Sequence, residues 1–455
     1  MTLRGRPSKW RWSTLGDVCS KPQYGWTTSG AISGKLKLLR TTDITSGKID
    51  WTDVPYCREE PPEYGKYKLK QNDIVVSRAG SVGVSHLLRD PEDAVFASYL
   101  IRFRPGDSVL PQYVAYFLQS PQYWNQIHSN TAGIAIPNVN ATKLQSIPIP
   151  VPSLEEQQRI VAEIEKQFTR LDAGVASLTR VQTALKRYRA SVLKGACEGG
   201  LVSTEAELAR KENRSYETGE QLLQRILKER REKWNGKGKY KEPASPNIVN
   251  LPSLPKGWTW ATWNQLSEWV TYGFTRPMPH VEVGIPIITA KNIRNSKIDF
   301  ERAHLTTPEA YRSLSNKDRP ERDDILITKD GTIGRAAVVE TTREFCINQS
   351  VAVVWLRGCT LNRHFLLAVI ESEITQKPIW AKARGVAIKH LSITDFARMA
   401  LPVPPLAEQN RLVDEIERRL SVIEELESAI TSQRQRAASL RQSILHRAFE
   451  GGLQP

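Results

Sequence analysis

Hydrophobic and polar positions divide the chain into short β-like runs and long helical stretches. Apolar, β-branched runs broken by Gly, Pro, Asn and Asp predict mixed or mainly β globular parts of about 150 residues each. The clearest of these runs are residues 73–77, 94–103, 324–328 and 350–356. Helical spacing is seen at 111–126 and 364–374. Each globular part ends in a proline-spaced connector, which favours a stiff, extended segment.

A long amphipathic helix is predicted after each connector, because apolar residues alternate three and four positions apart. This period over more than three heptads is typical of a coiled coil. The residues expected to pair the helices are Val161, Ile164, Phe168, Leu171, Val413, Ile416, Leu420 and Ile423. Ser153 and Glu156 fit a capping box, and glycine pairs at 199–200 and 451–452 fit the C-terminal ends. The alternative is that each helix packs only on its own globular domain.

The two halves of the chain resemble each other in sequence. Trp10-Arg-Trp12 recurs as Trp258-Thr-Trp260, 248 residues later, and Pro150-Val-Pro152 recurs as Pro402-Val-Pro404, 252 residues later. The matches between these points keep their order, with the offset drifting by only four residues. A repeat this long is not a solenoid. The chain is therefore predicted to use one two-part unit, a globular domain followed by a long helix, twice.

These patterns predict an α+β protein with four segments: a first globular domain at 1–150, a central region with a long helix, charged spacer and linker at 151–254, a second globular domain at 255–402 and a final long helix at 403–455. The spacer occurs only in the first half. Residues 217–233 look like a charged helix, and residues 233–246 look like an exposed linker.

Composition narrows the function classes. Lys plus Arg total 64 against 49 acidic residues, giving a net charge of +15, which favours a polyanionic partner such as nucleic acid. A basic surface that serves solubility would give the same sum. No apolar run is long enough for a transmembrane helix, and residues 1–12 lack the apolar core of a secretory signal. Five scattered cysteines argue against a disulfide framework and fit a reducing cytoplasm.

Known catalytic motifs are missing from the sequence. There is no nucleotide-binding P-loop, no methyl-donor motif with its catalytic Asn-Pro-Pro-aromatic or Pro-Cys partner, and no nuclease pattern of carboxylates. The seven histidines are isolated from one another and from the cysteines, so no metal site is expected. We therefore expect a binding or scaffold role without catalysis.

Two repeated motifs are candidates for nucleic-acid contact. Gly80-Ser-Val-Gly83 and Gly331-Thr-Ile-Gly334 follow Arg78 and Lys329, so their backbone N–H groups and the neighbouring cations could hold phosphates. A tight turn between strands is the alternative. The aromatic loops Tyr24-Gly-Trp26 and Tyr272-Gly-Phe274 could face DNA or form a hairpin or core.

The order of these motifs, present twice, resembles the specificity subunit of type I restriction–modification enzymes. The resemblance rests on the duplicated halves, the P-x-P-x-x-E-Q entry to each helix, the G-[ST]-x-G turn, the Leu254-Pro-Lys-Gly-Trp258 opening and a charged spacer at 225–243. It implies two target-recognition domains that each read one half of a bipartite, asymmetric DNA site. It also implies that the two helices pair antiparallel with pseudo-twofold symmetry, set the spacing between half-sites and dock two modification (methyltransferase) subunits, which motor–nuclease restriction subunits join.

Under this reading the expected DNA contacts lie in the loops 24–29, 131–143, 272–276 and 384–392 and around Arg78 and Lys329. The residues expected to touch DNA are Tyr24, Trp26, Thr27, Arg78, Asn138, Lys143, Tyr272, Thr275, Arg276, Lys329, Lys389 and His390. The chain itself is expected to bind no cofactor or metal, whereas the partner subunits would use S-adenosylmethionine, ATP and Mg²⁺. Three alternatives remain open: a stand-alone DNA-binding regulator, a coiled-coil adaptor, and an enzyme such as a nuclease with an unrecognised site.

Overall fold

The computed structural model describes residues 10–131, 138–234, 238–385 and 389–452. The fold divides into two compact units, one formed by residues 1–180 with 429–455 and the other by residues 181–428. Each unit therefore combines one globular domain with parts of both long helices. None of the helices in the described ranges is long and apolar enough to cross a membrane.

Unit 1 is built on three small sheets. Its strands are β1 (Arg11–Thr14), β2 (Gln23–Tyr24), β3 (Gly30–Ala31), β4 (Lys37–Leu39), β5 (Tyr56–Cys57), β6 (Ile74–Ser77), β7 (Ser85–Leu87), β8 (Ala94–Phe96), β9 (Leu100–Phe103) and β10 (Pro148–Val151). The sheet orders are β1-β10, β2-β9-β6-β7 and β3-β5-β4-β8. Its helices are α1 (Leu15–Val18), α2 (Thr41–Ile44), α3 (Tyr64–Tyr67), α4 (Pro111–Phe117), α5 (Pro121–Thr131), α6 (Ala141–Gln145) and the first part of α7 (Leu154–Glu198).

Unit 2 repeats this plan and adds two spacer helices, α8 (Glu205–Glu212) and α9 (Gly219–Glu232). Its strands are β11 (Thr259–Thr262), β12 (Trp269–Tyr272), β13 (Ile285–Ile288), β14 (Ile293–Arg294), β15 (Lys297–Ile298), β16 (His304–Thr306), β17 (Ile325–Thr328), β18 (Ala336–Val338), β19 (Cys346–Ile347), β20 (Val351–Trp355) and β21 (Ala400–Val403). The sheet orders are β11-β21, β12-β20-β17-β18, β16-β13-β19 and β14-β15. Its remaining helices are α10 (Trp263–Leu266), α11 (Pro308–Arg312), α12 (Arg363–Glu371), α13 (Glu373–Lys382), α14 (Ile393–Ala397) and α15 (Leu406–Phe449), with 3₁₀ turns at Ala290–Asn292 and Asn316–Asp318.

The repeat that the sequence predicts is present in strand register. Trp12 pairs with Pro150 in the β1–β10 ladder, and Trp260 pairs with Pro402 in the β11–β21 ladder. The connectors are therefore strands, not free extended linkers. Proline is compatible with these two-stranded sheets because its missing N–H can face away from the single partner strand.

Two sequence-predicted runs are each split into two elements. The run 94–103 forms β8, which pairs with β4, and β9, which pairs with β6, so a turn between them carries the chain from one sheet to another. The run 111–126 forms α4 and α5, separated at Leu118 to Ser120, and Pro121 begins α5 because it cannot continue α4. Helix α8 was not expected from the spacer sequence, whereas α9 was.

A buried aspartate explains why the motif Asp-Ile-aliphatic occurs in both domains. Asp73 accepts the N–H of Lys70 at 2.9 Å and pairs with Arg104 at 2.7 Å. Asp324 in unit 2 accepts the N–H of Glu321 at 2.9 Å and contacts Arg357 at 3.3 Å. Each carboxylate thus holds the tight turn that starts a central strand, which is a structural role.

The long helices run antiparallel, as contacts within each unit show. In unit 1 the first part of α7, with Ile164 and Phe168, shares a core with Ile444 and Phe449 near the end of α15. In unit 2 the last part of α7 shares a core with the first part of α15, through Val192 and its neighbours. The predicted pairing residues accordingly lie in two different cores. Val161, Ile164, Phe168 and Leu171 belong to the first, and Val413, Ile416 and Leu420 to the second, while Ile423 is buried on α15.

Both helices end as the glycine pairs predict. Gly199 and Gly451 have φ of 75° and 77°, the left-handed conformation. The N–H of the following glycine returns to the helix, from Gly200 to Gly195 and from Gly452 to Arg447, each at 2.9 Å. At the start of α7, Ser153 accepts the N–H of Glu156 at 3.3 Å, so the capping interaction of Ser153 is formed.

Candidate nucleic-acid interface

In unit 1 the exposed ring of Tyr24 and the guanidinium of Arg78 form a cation–π pair. Tyr24 ends the edge strand β2 and is 37% exposed. The Arg78 guanidinium carbon lies 5.1 Å from the ring centroid, and the Tyr24 hydroxyl accepts the N–H of Ala141 at 2.9 Å. No carboxylate pairs with Arg78 among the described residues. Its charge is therefore held in place by an aromatic face and stays available to an anion.

Close backbone packing fixes this loop. A Cβ on Gly25 would lie 2.2 Å from the carbonyl oxygen of Ala97, so only glycine fits between the two aromatic residues. Trp26 turns inward, donating its indole N–H to the Glu59 carbonyl at 2.9 Å and packing on Tyr67 with ring centroids 5.5 Å apart. Of the two aromatic residues in the loop, Tyr24 is the better placed for a ligand, and the neighbouring Thr27 is exposed.

Unit 2 builds the same arrangement with other side chains. Tyr272 ends the edge strand β12 and is 38% exposed. The ammonium groups of Lys329 and Lys317 each lie 5.1 Å from its ring centroid. Gly273 is again obligatory, because its Cβ would lie 1.9 Å from the Ile347 carbonyl oxygen. Phe274 is buried, so here too the tyrosine is the exposed member of the loop.

The basic residue is fixed by the same backbone hydrogen bonds in both units. The N–H of Val139 donates to the Arg78 carbonyl at 3.0 Å, and the N–H of Leu391 donates to the Lys329 carbonyl at 2.7 Å. Each G-[ST]-x-G motif is a turn between antiparallel strands, β6–β7 and β17–β18. Gly80 and its counterpart in the second motif have φ of 74° and 78°, with open space where a Cβ would be. The tight turn is therefore present, and it leaves room for a ligand.

The electrostatics of the two surfaces differ. The Lys329 side chain is only 7% exposed, and its ammonium lies 3.0 Å from the Asp330 carboxylate. The same carboxylate contacts Nδ1 of His390. At the corresponding positions unit 1 carries Ala79 and Asn138, which form a β-bridge but no ion pair. Lys329 is thus a neutralised, buried cation, whereas Arg78 is not neutralised.

The other predicted contact residues lie around these pairs. Asn138 and Thr275 are exposed, and Lys143 and Lys389 are half-buried. Arg276 is exposed and donates to the Ser313 hydroxyl at 2.5 Å. Residues 132–137 and 386–388 of the predicted loops lie outside the described part of the chain.

A cleft of about 1400 Å³ adds a basic surface to unit 2. Its walls come from helices α7, α12, α13 and α15, the β14–β15 hairpin with the 3₁₀ turn before it, and the Gly331–Gly334 turn. Six cations line it against three carboxylates: Lys186, Arg189, Lys291, Arg294, Lys297 and Arg335, with Glu371, Glu424 and Glu427. Sequence reasoning missed this cleft, because its cations are dispersed over 150 residues of chain.

The corresponding cleft in unit 1 is smaller, about 630 Å³, and its charges are balanced. Arg89 contacts Glu165 at 3.4 Å, and Arg441 pairs with Asp172. Arg441 also lies over the Phe168 ring at 4.0 Å. Cations that are paired in this way are less available to a polyanion. Of the two clefts, only the unit 2 cleft therefore has an excess of basic side chains.

Groups of three or more His, Cys, Asp or Glu side chains that could hold a metal are absent from the described residues. The five cysteines are free thiols. Burial raises the pKa of each of them, for example of Cys19 and Cys197 to about 12, so these thiols are poor nucleophiles at neutral pH. The surfaces described above offer cations, hydroxyls and aromatic faces, which are binding groups.

Comparison with known proteins decides the family. The family model described as type I restriction modification DNA specificity domain matches residues 7–177 and 280–435, which is more than two thirds of the chain. The chain belongs to this DNA specificity domain family. The two matches fall one in each half of the sequence, in agreement with the internal repeat.

Among relatives of this specificity-domain protein are the type I restriction enzyme EcoBI and EcoKI specificity subunits of Escherichia coli. They are 24% and 23% identical, over 92% of this chain in each case and over 80% and 82% of their own lengths. The StySPI specificity subunit of Salmonella potsdam is 31% identical over 37% of each chain. A chain from a solved structure on complex assembly and conformational transition of the type I R-M system aligns with a TM-score of 0.62 at 19% identity, covering 98% of this chain and 99% of its own. That likeness supports the α+β fold with long helices.

Proposed function

We propose that this chain is the DNA-specificity subunit of a type I restriction–modification enzyme. In this proposal each globular domain reads one half of a bipartite, asymmetric DNA site, and the antiparallel helices set the distance between the halves. The observation that carries it is the DNA specificity domain match, which occurs twice and covers both repeats. The net charge of +15, the Arg78 guanidinium beside Tyr24 and the basic cleft of unit 2 fit a DNA partner.

The division of labour follows from the chemistry that the chain offers. Arg78, the exposed hydroxyls and the cations of the unit 2 cleft can contact phosphates and base edges, which position and specify a DNA-binding protein. Catalysis would then lie in other subunits of the same system. We propose that two modification subunits dock on the helices, that restriction subunits join them, and that these partners use S-adenosylmethionine, ATP and Mg²⁺. The family match supports this assembly over a stand-alone regulator or a coiled-coil adaptor.

Methylation mapping in the native host tests the proposal. Modified bases are located genome-wide in strains with and without this gene. We expect one bipartite, asymmetric motif to be methylated only when the gene is present. If the methylated motifs are identical in the two strains, the proposed function is wrong.

Exchange of one recognition domain separates the two half-sites. Residues 255–402 are replaced with the equivalent span of another specificity subunit, and the methylated motif is mapped again. One half-site should change while the other half and the spacing stay the same. A motif in which both halves change would contradict independent reading by the two domains.

The purified chain alone provides the control for catalysis. It is incubated with DNA and labelled methyl donor, and separately with DNA and divalent metal. We expect neither methyl transfer nor cleavage. Metal-dependent cleavage by this chain would instead support the nuclease alternative.

A further inference from the structure

The second recognition domain contains a carboxylate–histidine pair at positions where the first domain has Ala79 and Asn138. Asp330 and His390 face each other across a backbone bridge, and Oδ1 of Asp330 contacts Nδ1 of His390. The Lys329 ammonium lies 3.1 and 3.0 Å from the two oxygens of the same carboxylate. The His390 side chain remains 50% exposed. A fixed imidazole is thus presented at the surface next to the Asp330–Lys329 ion pair, whose ammonium lies 5.1 Å from the Tyr272 ring centroid.

The hydrogen bond determines which ring nitrogen carries the proton. The Lys329 ammonium donates to both oxygens of the Asp330 carboxylate, so these oxygens act as hydrogen-bond acceptors. The contact with His390 therefore requires Nδ1–H as the donor. In a neutral imidazole this leaves Nε2 with the lone pair, as an acceptor. Among the described residues Nε2 has no hydrogen-bond partner, so it is available to a ligand.

DNA bases differ in what they can offer such an acceptor. In the major groove the amino groups of adenine N6 and cytosine N4 are donors, whereas guanine N7 and O6 and thymine O4 are acceptors. A neutral imidazole held with Nε2 as the acceptor therefore favours adenine or cytosine at the position that it faces. Asn138, the counterpart in unit 1, carries an amide that offers both a donor and an acceptor, so it lacks this restriction.

We propose that His390 contacts the exocyclic amino group of one adenine or cytosine in the half-site of the second domain, and that Asp330 is the positioning residue that fixes the ring for this contact. The proposal rests on the proposed function and adds the chemical identity of one read position. Because the Asp330–His390 pair occurs only in unit 2, the other half-site should not depend on it.

The test uses the complete complex of this chain with its methyltransferase subunits, and duplexes that carry the mapped site. Single adenines or cytosines are replaced by analogues without the amino group, purine for adenine and pyrimidin-2-one for cytosine. With the unaltered protein we expect one such replacement in the second-domain half-site to weaken binding about five- to tenfold through the loss of one hydrogen bond to His390. His390→Ala and Asp330→Asn should remove the discrimination at that position alone.

Two variants serve as controls. Glu340→Gln alters another carboxylate–histidine pair of the same domain, in which His364 Nε2 lies 3.5 Å from Glu340 Oε1 outside the proposed surface. It should leave every replacement effect unchanged. Asn138→Ala should leave the second-domain half-site unchanged. Circular dichroism and unchanged recognition of the first half-site would show that each variant is folded. If Asp330→Asn does not fold, His390→Ala by itself still tests the inference.

Each outcome has one meaning. If His390→Ala shows the same amino-group effects as the unaltered protein, the inference is wrong. 7-Deazaguanine lacks the acceptor N7 of guanine. If replacing a guanine by 7-deazaguanine weakens binding of the unaltered protein but not of His390→Ala, the imidazole acts as a donor and the inference is also wrong. If the unaltered complex recognises no sequence at all, the proposed function itself fails, which is a different result from either.

Discussion

The side-chain carbonyl of Gln409 accepts the backbone N–H of Asn362 at 3.0 Å, which ties the start of helix α15 to the start of helix α12. The amide of Gln409 also donates to the Pro404 carbonyl at 2.9 Å. In unit 1 Gln157 accepts the N–H of Leu110 at 2.8 Å in the same way. Both glutamine side chains are fully buried. The glutamine of the Glu-Gln pair that follows each proline connector therefore joins a long helix to its globular domain.

Gln409→Ala is expected to destabilise unit 2. The substitution leaves a buried N–H and a buried carbonyl without partners, which costs about 2–3 kcal/mol of unfolding free energy. Urea denaturation followed by circular dichroism measures the loss. Gln435→Ala, on an exposed position of the same helix, is the control and should change the unfolding free energy by less than about 0.5 kcal/mol. Equal effects of the two substitutions would contradict the joining role.

Arg78→Gln and Lys329→Gln should affect DNA binding differently. Arg78 has no carboxylate partner among the described residues, so its loss should lower the slope of log affinity against log salt by about one. Lys329 is already neutralised by Asp330 at 3.0 Å, so its loss should change the slope less. Titrations of the complex with target DNA at several salt concentrations give both slopes. A larger change for Lys329→Gln would show that the Asp330 ion pair opens on DNA.

The β14–β15 hairpin and the 3₁₀ turn before it should contribute to DNA binding without reading the base sequence. Replacing Lys291, Arg294 and Lys297 with Gln removes three of the six cations of the unit 2 cleft. If they contact phosphates, binding to target and non-target DNA should weaken by similar factors, and the salt slope should fall by up to about three. Arg302→Gln, on an exposed arginine that does not line the cleft, is the control. An unchanged slope in the triple variant would place DNA elsewhere.

Native protein should react slowly with thiol reagents. Burial raises the pKa of Cys57 and Cys359 to about 11 and that of Cys346 to about 12, so little thiolate is present near pH 8. Titration with a chromogenic disulfide reagent should detect no rapidly reacting thiol in the folded chain. All five should react after denaturation. A fast-reacting thiol in the folded protein would show that one of these sites opens readily.

Glu408 should make the stability of unit 2 depend on pH. Burial raises its pKa, although the Glu408 carboxylate accepts the indole N–H of Trp258 at 2.9 Å. A carboxyl group whose pKa is raised by folding stabilises the folded protein at pH values below its ordinary pKa of 4.5. This contribution is lost as the pH rises through the higher pKa of the folded state. Between pH 4.5 and neutrality the unfolding free energy of Glu408→Gln should therefore fall less than that of the unaltered protein.

Glu156 is the matched control for this measurement. It occupies the equivalent position at the start of α7, but its side chain is 39% exposed. Glu156→Gln should leave the pH dependence of unfolding close to that of the unaltered protein. If the two substitutions have the same effect, burial of Glu408 is not the cause.

Features that depend on neighbouring residues can be read from the amino-acid sequence alone. The heptad spacing predicts α7 and α15, the glycine pairs predict their left-handed ends, and the ordered matches between the halves predict a structural repeat, although not the strand pairing of Trp12 with Pro150 and of Trp260 with Pro402. The basic residue before each glycine turn was also identifiable. These signals are local because helix periodicity, capping and positive φ are properties of a few consecutive residues.

Which distant groups meet depends on how the elements of the folded chain pack. The run 94–103 looks like one strand, but its two halves bury their apolar residues in different sheets. Asp330 and His390 are 60 residues apart in sequence, and nothing in the sequence around either residue indicates that their side chains meet. Arg78 and Lys329 occupy equivalent positions, yet only Lys329 is neutralised, because its neighbour is Asp330 where the first domain has Ala79. Hydrogen bonds and charge pairs form across packed elements, and packing brings together positions whose separation along the chain carries no pattern.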